Sequence, residues 1–249
     1  MPSHFVDVHA HLDMCSDTEE VVARAKKEDV WIIAAGVDHK SNAAILNLSR
    51  GHHHVGVCLG IYPVEAEKLT DKDLEKEFAF MKEHKEAIAG IGEVGLDLHE
   101  GEDLERQKIV LRKLVNVAKD LDKPLVVHSR KAEEETIAFL EGFKYKKIVM
   151  HCFSGNMKLV ERILENGWFL SIPASVAYSE HFQTIVRRAS LNQLLCETDS
   201  PFLHPEKKMN NEPAQVIQGY KKIAEIKNLE LEDVKDAIWK NVVKLFGEM

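Results

Sequence analysis

The chain of 249 residues has little of what marks several classes of protein. It has only four cysteines, Cys15, Cys58, Cys152 and Cys196, which lie far apart and form no C-x-x-C pair. This spacing favours free thiols in a reducing compartment over a disulfide framework. No apolar stretch is long enough to cross a bilayer, and the first residues lead into a strand without a basic and then apolar signal segment. We therefore expect a cytoplasmic protein with no membrane partner.

An excess of basic charge is also absent. Lysine and arginine number 33 against 41 aspartates and glutamates, which gives a formal net charge of −8 at pH 7. This balance argues against a protein that coats nucleic acid through bulk positive charge. A nuclease is still compatible with it, because metal ions and one or two arginines can neutralise phosphates locally.

Linkers, low-complexity tracts and repeats of fixed length are absent as well. Glycine and proline are scattered singly at element boundaries, and hydrophobic residues make up 45% of the chain. A chain of this length and composition can bury one full core. We predict a single domain that comprises residues 1–249.

What is present is an alternation of strands and helices. Eight mostly apolar segments predict strands at residues 4–8, 30–37, 55–60, 88–94, 124–128, 147–152, 168–172 and 193–198. Amphipathic segments lie between them, and the clearest covers residues 104–121, where apolar side chains recur at helical spacing. This alternation predicts an α/β fold with a parallel sheet. Eight strands in about 250 residues favour a closed TIM (β/α)8 barrel over an open doubly wound sheet.

Five of the predicted strands carry residues that bind divalent metals at or just past their ends. The first has His9 and His11, whose i, i+2 spacing places both rings on one face of a strand. Glu93 lies in a glycine-rich apolar run, where a buried carboxylate needs a cation or hydrogen-bond donors. The other three strands lead to His128, His151 and Asp199. Because the C-terminal ends of barrel strands converge on one mouth, we predict that these six residues meet there.

Six such donors are more than one ion requires, and they are enough for two ions that share a ligand. Glu93 is the natural bridge, because each of its carboxylate oxygens can hold one ion. A pair of Mg²⁺, Mn²⁺ or Zn²⁺ ions would activate a water for hydrolysis without a covalent intermediate. Asp199 has two open roles, as a metal ligand or as the general base toward that water. Arg130 supplies a planar donor fork suited to phosphate, with a surface salt bridge as the alternative.

The motifs of this chain resemble those of the TatD family of metal-dependent deoxyribonucleases, within the amidohydrolase superfamily. They are HAH at 9–11, GEVGLD at 92–97, HSR at 128–130, HCFSG at 151–155 and ETDSP at 197–201, in family order. The resemblance implies a TIM barrel, a divalent metal pair and hydrolysis of phosphodiester bonds in DNA, often exonucleolytic, on single strands or ends. By position, the metal ligands would be His9, His11, Glu93, His128, His151 and Asp199. Glu93 and Asp199 would also be the catalytic residues.

Two segments depart from the family pattern. Members often have a G-[IV]-H-P-H run after strand 3, whereas this chain has GIYPV at 60–64, with Tyr62 in place of the first imidazole. After strand 8 a segment of the type R-G-K-x-N-x-P is expected, and this chain has KKMNNEP at 207–213. Both changes affect residues expected to contact the substrate, and neither affects the six candidate metal ligands. We predict that Tyr62 and Arg130 contact the substrate.

The chief alternative function is that of a metal-dependent amidohydrolase or lactonase acting on a small molecule, since the same barrel and ions could attack a carbonyl group. Superfamily members with those activities commonly bridge their ions with a carboxylated lysine on strand 4. Strand 4 of this chain carries Glu93 and no lysine in its terminal half, which favours the nuclease. A noncatalytic binder of the same fold is a weaker alternative, because all six candidate ligands are kept.

Overall fold

Eight parallel strands form the centre of the protein in a computed structural model that describes residues 3–247. They are β1 (Phe5–Ala10), β2 (Val30–Ala35), β3 (Val55–Leu59), β4 (Gly90–Asp97), β5 (Leu125–Arg130), β6 (Ile148–His151), β7 (Phe169–Pro173) and β8 (Leu194–Glu197). Each strand pairs with the next one along the chain, and every pairing is parallel. Strands β4, β6, β7 and β8 are buried along their whole length, as expected where helices cover the sheet. The predicted TIM barrel is confirmed.

The barrel closes where β1 meets the chain just beyond β8. Asp199 N donates to His9 O at 3.0 Å, and His11 N donates to Ser200 O at 2.8 Å. The isolated bridge between Ala10, the last residue of β1, and Ser200 lies beyond the end of β8, so β8 itself does not form a continuous ladder with β1. We call this junction the seam. It is formed by the same backbone that carries three of the predicted metal ligands.

Buried side chains fill the lower part of the seam. The hydroxyl of Tyr220 accepts from Val6 N at 3.0 Å and donates to Val6 O at 3.2 Å, in the place of a strand partner. The carboxylate of Asp7 accepts from Thr198 N at 2.9 Å and from His9 N at 3.2 Å. Burial raises the pKa of Asp7 well above its usual value, although the hydrogen bonds from Thr198 act in the opposite direction. Side chains thus connect β1 to α9 and to the residue that follows β8.

Helices cover the outside of the barrel. Within residues 3–247 they are α1 (Thr18–Lys27), α2 (His39–Ser49), α3 (Pro63–Lys68), α4 (Asp71–Glu83), α5 (Leu104–Asp120), α6 (Glu133–Glu141), α7 (Met157–Glu165), α8 (Glu180–Arg188), α9 (Val216–Lys227) and α10 (Leu231–Phe246). None of these helices has the length and apolar character that a bilayer crossing requires. The helix predicted at 104–121 is α5. Asp103 precedes it and caps its first turn, because the Asp103 side chain accepts a hydrogen bond from Arg106 N. The apolar face of α5 is buried.

Two features of the mouth differ from the sequence prediction. Strand β4 continues to Asp97, paired with Arg130 of β5, so Glu93 lies four residues before its end and not at it. The expectation that every ligand lies at or past a strand end is therefore wrong for Glu93 and for His128, because the ladder between β4 and β5 extends past both, and His9 lies one residue before the end of β1. The short helix α3 was not predicted, since six residues give too little periodicity. Only Pro63, in its first turn, indicates where it begins.

Candidate metal centre

Four imidazoles surround the carboxylate of Glu93 at the mouth of the barrel. Glu93 Oε2 lies 3.5 Å from His9 Nε2 and 3.4 Å from His11 Nε2. The other oxygen, Oε1, lies 2.9 Å from His128 Nδ1 and 3.5 Å from His151 Nε2. The rings of His9 and His151 stack with their centres 3.8 Å apart, which brings the two pairs together. One carboxylate thus presents a different oxygen to each pair of histidines.

Asp199 completes the group from the other side of the seam. Its Oδ1 lies 3.5 Å from His11 Nε2 and 3.7 Å from His9 Nε2. The residue has left the strand and takes a left-handed backbone conformation (φ 54°), which aspartate tolerates better than most residues. Its N–H is held by the carbonyl of His9. The structure therefore brings all six predicted residues together, although they lie on, or directly after, five different strands.

The outer nitrogens of three histidines are held by acceptors. Asp97 Oδ2 lies 2.8 Å from His128 Nε2, and Glu197 Oε2 lies 3.0 Å from His151 Nδ1. The carbonyl of Ala35 lies 3.2 Å from His11 Nδ1. An acceptor on one nitrogen keeps the ring proton there and directs the lone pair of the other nitrogen inward, which is the arrangement of metal-ligating histidines.

The charges of the group are those that a cation site needs. Burial acts to raise the pKa of Glu93, but contacts with His128 and His9 outweigh it and hold this pKa well below the usual range. The pKa of Asp199 is lowered in the same way, with burial outweighed by His11. Burial acts to lower the pKa of His11, yet Asp199 and Glu93 raise it to about 9. Protons and cations therefore compete for these nitrogens, since only a neutral imidazole binds a metal.

The residues fit one or more divalent ions. Two groups have ligand atoms that all lie within 4.8 Å of one another, the first formed by His9, Glu93 and His151 and the second by His9, His11 and Asp199. Imidazole nitrogens and carboxylate oxygens in this mixture suit Mn²⁺ and Zn²⁺, and the carboxylates suit Mg²⁺. The structure thus contains a cluster of histidines and carboxylates that could hold a metal ion.

Comparison with known proteins identifies the family. A family model described as TatD related DNase matches residues 6–247. The chain belongs to the TatD family. A metal-dependent hydrolase of Methanocaldococcus jannaschii is 36% identical to it over 97% of this chain and 96% of the relative. The deoxyribonuclease TATDN3 of Homo sapiens is 34% identical over 98% of this chain and 95% of its own.

A solved structure agrees with the sequence comparison. The crystal structure of YjjV, a TatD homologue from Escherichia coli K12, has a TM-score of 0.91 against this chain at 26% identity and covers 98% of both chains. The predictions of the TatD family and of a metal-dependent hydrolase are confirmed with this membership.

Tyr62, where this chain departs from the common TatD pattern, lies against the histidines. Its hydroxyl donates to Asp97 Oδ2 at 2.8 Å and lies 3.3 Å from His128 Nε2. Burial raises the pKa of the phenol, and Asp97 raises it further. A cavity lies over the centre, and Tyr62 is one of the residues that line it, but its hydroxyl already donates a hydrogen bond to Asp97. Its predicted contact with substrate stays a prediction.

Arg130 lines the same cavity and is paired with an acidic side chain. Its Nη1 lies 3.0 Å from Glu100 Oε1, and both side chains are about half exposed, at 47% and 54%. The surface salt bridge, which is the alternative role predicted for Arg130 from the sequence, is therefore present. An exposed ion pair of this kind is weak. A phosphate in the cavity could replace Glu100 as its partner, so the predicted role in substrate binding also stays a prediction.

Two functional residues of the TatD motifs received no role from sequence reasoning. These are Asp97 and Glu197, both fully buried and both aimed at a histidine of the centre. Burial acts to raise the pKa of Asp97, but His128 outweighs it and lowers this pKa. The sequence does carry a signal for both residues. Like Glu93, each is a carboxylate in a mostly apolar strand, and a buried carboxylate needs a hydrogen-bond or charge partner.

Proposed function

We propose that the protein hydrolyses phosphodiester bonds in DNA with two divalent ions per chain, as an exonuclease acting on single strands or ends. The observation that carries the proposal is that Glu93 presents one oxygen to each of two histidine pairs. DNA as the substrate is supported by membership of the TatD family and by the human relative named as a deoxyribonuclease.

The proposal assigns the six ligands to two positions. The seam position is formed by His9, His11, Asp199 and Glu93 Oε2. The ladder position is formed by His128, His151 and Glu93 Oε1. When bound there, Mg²⁺, Mn²⁺ or Zn²⁺ ions lower the pKa of a water and offset the charge that develops on the phosphoryl oxygens.

Asp199 is the residue that we assign to proton transfer in addition to metal binding. Its lowered pKa keeps the carboxylate ionised, and its contacts with the two histidines use Oδ1. Oδ2 is then the oxygen that accepts a proton from the attacking water. The water oxygen forms the new bond to phosphorus, the bond to one sugar oxygen breaks, and that oxygen leaves as an alcohol after taking up a proton.

The shape of the site supports ends or single strands as the substrate. The centre is recessed, with Glu93 only 2% exposed, at the floor of a cavity of about 780 Å³. A cavity of this size can enclose a ligand of drug-like dimensions, and one nucleotide falls in that class. A phosphate inside a long duplex is flanked on both sides by paired nucleotides that would have to enter with it. A terminal or unpaired nucleotide can enter alone.

The proposal is tested with purified protein freed of metal by chelation and then supplied with Mg²⁺, Mn²⁺ or Zn²⁺ separately. The substrates are end-labelled single-stranded and duplex oligonucleotides, beside a panel of lactones and small amides. We expect metal-dependent release of nucleotides from ends and about two ions per chain by elemental analysis. Cleavage that persists in chelator would contradict the proposal, and hydrolysis of lactones or amides alone would favour the amidohydrolase alternative.

A further inference from the structure

Phe202 is a large apolar side chain that is exposed beside the metal centre. Its side chain lines the same cavity as His11 and Glu93, and 53% of its surface is accessible. The centre of its ring lies 6.3 Å from that of His11, with the two planes at 67°. One exposed phenylalanine on an outer surface is ordinary. An exposed ring at this distance from a metal ligand lies within reach of whatever is bound at the centre.

The backbone that carries Phe202 is fixed. Its N–H donates to Asp199 O at 2.8 Å, which ties it to a predicted metal ligand. Its carbonyl accepts from the side-chain amide of Asn211 at 2.6 Å, and the same amide donates to Thr198 O at 3.0 Å. Asn211 is itself only 3% exposed. The ring therefore extends from a hydrogen-bonded turn, and little backbone conformational entropy is lost when a ligand packs on it.

The cavity has an apolar wall and a polar wall. The apolar wall includes Phe202 and Leu203, which follow β8, and Met14, which follows β1. The polar wall includes Glu100, which follows β4, and Arg130, the last residue of β5, and strand order places β4 and β5 opposite β8 and β1. A nucleotide whose phosphate lies at the centre has a planar apolar base on one side and a charged chain on the other. The base of such a nucleotide can pack against the apolar wall.

The charge of the protein surface contributes little to the binding of a polyanion. The chain has a net charge of −8, and Asp38, Glu65 and Glu100 line the cavity around the metal ligands. The counterion-release term that dominates binding by basic proteins is therefore small. Stacking of a base on an aromatic ring is available to every base and does not need a basic surface.

From these observations we propose that Phe202 is the platform on which the base of the reacting nucleotide stacks, the nucleotide whose phosphate lies at the metal centre. This inference rests on the proposed function, and it adds a nucleobase subsite on the apolar wall. The subsite favours unpaired nucleotides, because a base cannot lie flat on the ring while it is stacked inside a duplex.

The test compares wild type with Phe202→Ala on single-stranded oligonucleotides that are identical except for one abasic residue. The abasic residue is placed in turn at each of the first three positions from either end. We expect Phe202→Ala to lower kcat/KM on complete DNA by about 5- to 150-fold, the effect of losing one base–aromatic stack. At the one position whose base stacks on Phe202, an abasic residue should lower kcat/KM of the wild type by a similar factor. On that abasic substrate, Phe202→Ala should be no slower than the wild type. Phe202→Trp should retain activity on complete DNA.

The abasic substrates also separate stacking from damage to the centre. If truncation of Phe202 merely disturbed His11, Phe202→Ala would be slowed equally on complete and abasic DNA, and the inference would be overturned. It would also be overturned if Phe202→Ala cleaved complete DNA at the wild-type rate. Leu229→Ala, which removes an exposed apolar side chain after α9, should leave both rates unchanged. Wild-type protein that cleaves no oligonucleotide would contradict the proposed function itself, and the stacking platform with it.

Discussion

The seam position and the ladder position of the metal centre are built in different ways. At the ladder position, His128 and His151 come from β5 and β6, which pair continuously, and a buried carboxylate holds the outer nitrogen of each ring. At the seam position, the outer nitrogen of His11 contacts only the backbone carbonyl of Ala35, and His9 Nδ1 has no hydrogen-bond partner among residues 3–247. One position has well-supported histidines, and the other has more ligands.

This difference indicates how each position would hold an ion. The seam position offers two imidazoles and two carboxylates, so ligand number and negative charge favour cation binding there. The ladder position offers two imidazoles and one shared carboxylate oxygen, but carboxylates behind the rings make them more basic and fix their orientation. We expect the ladder position, which has fewer ligands, to bind a divalent ion less tightly than the seam position.

The largest effect is expected where the two positions share a ligand. Glu93→Gln replaces one of the two bridging oxygens with an amide nitrogen that cannot bind a cation, so at least one position loses its ligand. Turnover should fall by about 10³-fold or more, and elemental analysis should find fewer than two ions per chain. Glu77→Gln, which changes another buried carboxylate on α4, should keep both ions. A Glu93→Gln protein that retains two ions would show that the positions do not depend on this bridge.

Asp199→Asn should affect the seam position alone. The variant loses an anionic ligand and the proposed proton acceptor, so kcat should fall by about 10²- to 10³-fold with one ion retained. Asp38→Asn provides the control, because it removes a charge from the same cavity and asparagine still caps α2. Equal loss of both ions in Asp199→Asn would mean that the two positions fill only together.

Asp97→Asn should affect the ladder position by a smaller factor. The amide nitrogen of asparagine donates where Oδ2 accepted, so the ring of His128 places its proton on Nδ1, the nitrogen that faces Glu93. Affinity for the ladder ion should fall by about 10- to 100-fold, measured by metal titration with the seam ion in place. Glu100→Gln, at the rim of the cavity, is the matched control. Weakened binding of the seam ion would contradict the assignment.

The smallest effect concerns stability against pH. Burial acts to lower the pKa of His11 and His151, but nearby carboxylates outweigh it and raise these values from 6.5 to about 9 and about 10 in the absence of metal. The stability contributed by these two groups is complete below about pH 6.5 and is lost as pH rises through 9 to 10. Bound ions need neutral rings and become more stabilising over the same interval.

Thermal unfolding of loaded and chelated protein checks this expectation. The difference in Tm between the two forms should be larger at pH 9 than at pH 6. Since His11 belongs to the seam position and His151 to the ladder position, the same scan on Asp199→Asn and Asp97→Asn separates their contributions. A difference in Tm that does not change with pH would show that protons and ions do not compete at the centre.

Much of the fold and of the site follows from local patterns. The apolar runs and amphipathic segments predict eight strands and their helices, because the periods of 2 and 3.6 residues are set by the backbone itself. The spacing of His9 and His11 places both rings on one face for the same reason. The position of Glu93 inside an apolar strand indicates a buried charge that needs a partner. These inferences require no knowledge of distant contacts.

The tertiary structure decided which distant groups meet. His128 and Asp97 are 31 residues apart, His151 and Glu197 are 46 apart, and Tyr220 reaches Val6 across 214 residues. Such contacts depend on strand register and on how the barrel closes at the seam, which change side-chain distances by several ångströms without changing any local pattern. The sequence by itself thus determined the barrel and the six candidate ligands. Only folding decided the division of these ligands between two sides of Glu93 and the exposure of Phe202 beside them.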